Sequence, residues 1–88
     1  MVVWTDYMRY RAKLRGFDLE RLERIVNYCT ERYYDTETGR TVVIGRYGHG
    51  LVILPYETDE DGVIPITVHS ITRQQINFRL KTGRFVSE

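Results

Sequence analysis

Apolar positions recur at helical spacing near the start of the chain, alternate or run together through the middle, and return to helical spacing near the end. Tyr7, Tyr10 and Leu14 stand at i, i+3 and i+7, and with Met8 and Ala12 they predict a short amphipathic helix over about residues 5–15. It starts near Thr5 or Asp6, and Gly16 ends it. Asp18 then provides an N-cap for a second helix, whose apolar stripe is Leu19, Leu22, Ile25, Val26 and Cys29.

From Glu31 the period changes to that of strands. Arg32 to Asp35 reads as a short strand, and Thr36-Glu37-Thr38-Gly39 as a turn before a second strand over Thr41 to Tyr47. Gly48-His49-Gly50 supplies the next turn. Leu51 to Tyr56 follows as a central strand, with pairing weakened at Pro55, which has no N–H to donate. The acidic stretch Glu57 to Gly62 is expected to be a solvated hairpin loop. A fourth strand, Val63 to Ser70, places Ile64, Ile66, Val68 and Ser70 on one face and Pro65, Thr67 and His69 on the other.

The chain closes with a helix from Thr72, as cap, to Thr82, with Gly83 as its stop. Ile76 and Leu80 lie one turn apart on it, and Arg73, Asn77, Lys81 and Arg84 form an aligned polar strip if the last turn reaches that far. The predicted class is α+β in the order ααββββα: two short N-terminal helices, a four-stranded antiparallel meander and a C-terminal helix, in a single domain over residues 1–88.

At 88 residues there is room for one core, so a site must lie on that core or between copies in a homodimer. No apolar run approaches the roughly 20 residues of a membrane span, and the N-terminus lacks a secretory signal pattern, which leads us to expect a cytoplasmic protein with no membrane association. Cys29 is the only cysteine; an internal disulfide is therefore excluded, and the residue reads as a small packed hydrophobe. The acidic stretch does not have calcium-loop spacing, and no metal or other cofactor is expected. A net charge of +1 conceals a segregation: residues 57–70 hold four acids and no Lys or Arg, whereas residues 71–88 hold four Lys/Arg and one acid. A basic end of this kind can attract a phosphate backbone without a high overall pI.

Four features carry a family resemblance: Arg15-Gly16-Phe17-Asp18 after the first helix, Leu22-Glu23-Arg24-Ile25-Val26, the strand Gly39 to Arg46, and the final strand leading into a basic helix. In wording and order these resemble the BrnT and RelE-like toxin superfamily across nearly the whole chain. The resemblance implies a meandering antiparallel sheet packed on helices, ribonuclease activity and an antitoxin protein as partner. Metal-independent RNA cleavage needs a proton acceptor, a proton donor and cations for the crowded phosphate. At the strand-to-helix junction, His69 is the candidate acid or base, with Arg73 and Arg79 as catalytic phosphate holders. Arg46, Tyr47, Tyr56, Asn77, Lys81 and Arg84 are the expected RNA contacts, the tyrosines through stacking, and Gln74, Asn77 and Lys81 the expected contacts with a protein partner. A non-catalytic module holding protein or RNA on the same fold is the alternative.

Overall fold

Each helix begins where a side-chain oxygen can accept a backbone N–H just ahead of an apolar run. In the computed structural model, which describes residues 1–88, helix α1 spans Asp6–Leu14 with Thr5 Oγ1 accepting from the Met8 N–H. Helix α2 spans Leu19–Tyr28, capped by Asp18, whose carboxylate accepts from the Glu20 N–H. Helix α3 spans Arg73–Lys81 behind a capping box, in which Thr72 and Gln75 each accept the other's backbone N–H. Gly83, at φ +82°, turns the chain away after α3 in a conformation that other residues rarely adopt.

The sheet has six strands, not four: β1 Arg32–Asp35, β2 Arg40–Tyr47, β3 Gly50–Asp59, β4 Gly62–Pro65, β5 His69–Ile71 and β6 Phe85–Ser87. The order is β4-β3-β2-β1-β6, with β5 pairing β3 beside β4 and every strand pair antiparallel. Two differences from the predicted meander have simple causes. β3 runs on through Glu57, Thr58 and Asp59 because β4 pairs with it there, so the acidic hairpin loop shrinks to a turn at Glu60-Asp61. β6 forms because β1 leaves its outer edge open: Tyr33, Tyr34 and Asp35 pair with Ser87, Val86 and Phe85.

The predicted fourth strand is split by a bulge. Tyr56 pairs with Pro65, and the Ile66 N–H reaches the Pro55 carbonyl, but Ile53 pairs with His69. The single residue Leu54 therefore faces two, Thr67 and Val68. Pro55 sits beside this bulge and cannot return the ladder bond, so pairing weakens there as expected. The extra residue reverses the alternation. Pro65 and Val68 both point toward α1 and α2, whereas His69 shares the opposite face with Ile53, and Ile64 and Val68 do not share a face.

On the α1/α2 face, Met8, Ala12, Leu22, Ile25 and Val26 pack on Val43, Val52, Leu54, Tyr56 and Val68. Burying each large aliphatic side chain there contributes about 1.5–3 kcal/mol before conformational entropy is subtracted. α2 crosses β2 so closely that a Cβ on Gly45 would stand 2.5 Å from Ile25 Cγ2 and 2.9 Å from Cys29 Sγ. On the opposite face, Ile76 of α3 packs with Val42, Ile44, Ile53, Ile71 and Phe85.

Only part of the predicted α1 apolar set faces the core. Met8 and Ala12 are buried, while Tyr7, Tyr10 and Leu14 are 59%, 63% and 65% exposed. Both sets have helical spacing, so period alone does not choose between them, and the small Ala12 lets α1 approach the sheet. No helix is long and apolar enough to cross a membrane.

Candidate functional site

One nine-residue helix does not cover its whole face of the sheet. Beside α3 lies a groove of about 390 Å³ with Val42, Ile53 and Pro55 among its lining residues. Ile66, Thr67 and His69 border it from the bulged side, Arg79 from α3, Arg84 from the segment leading into β6, and Asp35, Thr38 and Arg40 from the β1–β2 hairpin. Three arginines against one aspartate give it a net positive charge.

His69 owes its place to the bulge and its protonation to its neighbours. Arg15, just past the end of α1, donates from Nη1 to the Val68 carbonyl at 2.8 Å and lies 2.6 Å from His69 Nδ1. A guanidinium can only donate, so Nδ1 accepts and the imidazole proton resides on Nε2. Partial desolvation comes first, and repulsion from Arg15, Arg11 and Arg79 adds to it, holding the pKa below the ordinary histidine value. His69 is thus neutral near pH 7 and donates from Nε2, and the residue retains solvent exposure.

The other polar groups differ in how far they are committed. Asp35 is buried, and both carboxylate oxygens accept from Arg84, at 3.1 Å from Nε and 3.0 Å from Nη2, while the Glu37 N–H adds a third bond. Desolvation pushes the Asp35 pKa up, but these hydrogen bonds and the Arg84 charge outweigh it and leave the pKa below its ordinary value. Arg40 pairs with exposed Glu57 at 3.2 Å. Arg79 forms no ion pair; its guanidinium lies 5.5 Å from the centre of the Phe85 ring. Thr67 Oγ1 is buried without a hydrogen-bond partner.

Of the three residues expected to be catalytic, the structure brings His69 and Arg79 into one groove and sends Arg73 elsewhere. Arg73 donates to both Glu31 oxygens, at 2.6 and 2.9 Å, and Glu31 also accepts from the Tyr33 hydroxyl. These bonds depress the Glu31 pKa, the Arg73 hydrogen bond being the largest cause. The capping box ahead of Arg73 uses the Thr72 and Gln75 N–H groups.

Among the expected RNA contacts, only Arg84 lines the groove. Tyr56 is buried, its hydroxyl accepting from Arg32 at 3.1 Å, and Tyr47 accepts the Asp18 N–H while lying under Arg21 and against Phe17. Both are structural rather than free to stack. Arg46 lines a shallow cleft with Arg21, Arg24 and Tyr28. Asn77 and Lys81 lie with Arg73 along the flank of α3 turned away from Arg79, and Arg84 is past the helix, so the predicted strip ends at Lys81 and stands apart from the groove.

Sequence reasoning missed Arg15, Asp35, Arg40 and Thr67, which converge only through the fold. It also missed Phe78, whose signal was readable: it is out of phase with Ile76 and Leu80, and it is 65% exposed beside Arg79. No three His, Cys, Asp or Glu side chains cluster in a way that could hold a metal ion. No family model, no curated protein and no solved structure matches the chain, so its function rests on the chemistry of the groove itself.

Proposed function

We propose that this is a small RNA-binding domain of RelE-like layout, holding the phosphodiester backbone of a single strand in the groove beside α3 without cleaving it. One observation carries the reading: the uncommitted polar groups at the groove are donors. Arg79 forms no ion pair, and His69 presents Nε2–H. A phosphate oxygen suits both, the guanidinium above all.

Strand cleavage by the 2′-hydroxyl needs a base as well as donors. Asp35, the groove's carboxylate, is saturated by Arg84 and the Glu37 N–H, and the lone pair of His69 faces Arg15. The arrangement therefore favours holding charge over removing a proton. A duplex is too broad for a groove between a helix and a strand, which favours single strands. The resemblance to RNA-directed proteins selects RNA over DNA.

The test is fluorescence anisotropy with a labelled single-stranded RNA. Arg79→Ala is expected to weaken binding by roughly tenfold and to flatten the salt dependence by about 0.7 in log–log slope, one phosphate contact. Arg73→Ala is expected to leave affinity within about twofold, since that guanidinium is held by Glu31. Absence of binding by the folded protein at low salt would sink the proposal. Metal-independent cleavage that disappears in His69→Ala would replace it with the enzymatic reading.

A further inference from the structure

We infer that the recess on the other side of Arg79 is a base-binding site, in which an unstacked guanine lies on Phe78 and turns its Watson–Crick edge to Glu37. This deepens the RNA-binding reading and rests on it. The recess measures about 630 Å³ and is lined by Glu37, Gln74, Gln75, Phe78, Arg79, Thr82 and Arg84. Arg79 and Arg84 line both this recess and the groove, so the two adjoin. A strand whose phosphate meets Arg79 has its neighbouring base within reach of Phe78, the preceding residue of the same helix.

The composition points to a nucleobase. Phe78 is the single hydrophobic residue among amides, a hydroxyl, a carboxylate and guanidiniums. A protein hot spot sits in a well-packed, desolvated pocket; one exposed ring beside an arginine, with polar groups around it, instead suits an aromatic heterocycle that stacks on it and bonds through its edge. α3 spends Ile76 on the sheet and leaves Phe78 in solvent, where it contributes nothing to the core.

The polar groups select among bases. Glu37 keeps an exposed carboxylate, its Oε2 3.4 Å from Arg84 Nη1. An ionised carboxylate accepts and cannot donate. Guanine places N1–H and its 2-amino group side by side, matching two carboxylate oxygens. Adenine and cytosine set one amino group beside an acceptor nitrogen, and uracil sets one N–H between two carbonyls, so each meets the carboxylate with a repulsive partner. Gln75 gives its Oε1 to the Thr72 N–H, which leaves its amide NH₂ to donate, as guanine O6 requires.

The experiment uses labelled five-nucleotide RNAs that differ only at the central position, in a uridine background, with the full chain. The G-containing strand is expected to bind about tenfold tighter than its uridine and inosine counterparts, inosine lacking only the 2-amino group. Glu37→Gln is expected to erase that preference, Phe78→Ala to weaken all strands roughly tenfold, and Phe78→Trp to retain binding with quenching of the new indole by the G strand. Unchanged affinity in Phe78→Ala alongside weakening in Arg79→Ala would overturn the base site while leaving the phosphate groove intact. Equal affinity for the G and inosine strands would overturn the role of Glu37. Loss of nothing in either Phe78→Ala or Arg79→Ala would overturn both readings together.

Discussion

Two helices seal one face of the sheet around ten buried residues, with Gly45 allowing α2 to lie almost on the backbone, while a single helix leaves part of the other face as a groove edged by arginines. The first face gains its stability from dense apolar packing, so its side chains have little freedom to meet anything else. The second has a six-residue cluster, and its remaining polar contacts are long-range pairs such as Asp35 with Arg84. Incomplete coverage is what leaves Arg79 and His69 able to meet a ligand. The same sheet thus divides stability and recognition between its two sides, and the bulge at Thr67-Val68 assigns one neighbour to each.

Breaking that division at the bulge should have the largest effect. Val68→Asp puts an unpaired charge among the ten buried residues of the sealed face; a loss of about 3 kcal/mol or more is expected in urea denaturation. Gly45→Val confines the damage to the sealed face. Overpacking against Ile25 and Cys29 should cost about 2–3 kcal/mol, while the protein that remains folded binds RNA with unchanged affinity. On the open face, Arg84→Ala strands the buried Asp35 carboxylate at a cost of about 2–3 kcal/mol, discounted because Arg84 is partly exposed, and adding Asp35→Asn should recover part of it.

A pH titration separates the faces further. Asp35 and Glu31 titrate below their ordinary values in the folded chain, so their stabilisation is complete above about pH 5 and is lost as the pH falls through their folded values. His69 titrates below its ordinary value too, but as a base: once the pH drops under about 6.5 the unfolded chain takes up a proton that the folded chain resists, so stability declines. His69→Gln should flatten the upper part of the curve, just below about pH 6.5, and leave the acid limb in place. The smallest stability change belongs to Arg79→Ala, under about 0.5 kcal/mol, although it is the variant expected to impair binding most cleanly.

Much of the architecture was readable where the causes are local. Thr5, Asp18 and Thr72 mark the helix starts because each cap bonds within three residues, and Gly83 marks a stop because its positive φ is one that residues with a Cβ rarely adopt. The α2 stripe was readable for the same reason. β6 was not, because three residues become a strand only when β1 offers an open edge. Nor was the outward turn of Tyr7, Tyr10 and Leu14, since two stripes on one helix share its period.

For the site, the sequence singled out His69, Arg79 and Arg84 as basic groups near the last strand and helix, and these do meet in one groove. It assigned Arg73 to the same task because spacing along a helix does not reveal that Glu31, 42 positions earlier, waits beside that flank. What the chain determined by itself are the elements whose hydrogen bonds close over a few residues and whose apolar period is unbroken. Only the tertiary structure decided which face His69 occupies, which arginines are already paired and where Phe78 stands, because each depends on a register or a contact between segments distant along the chain.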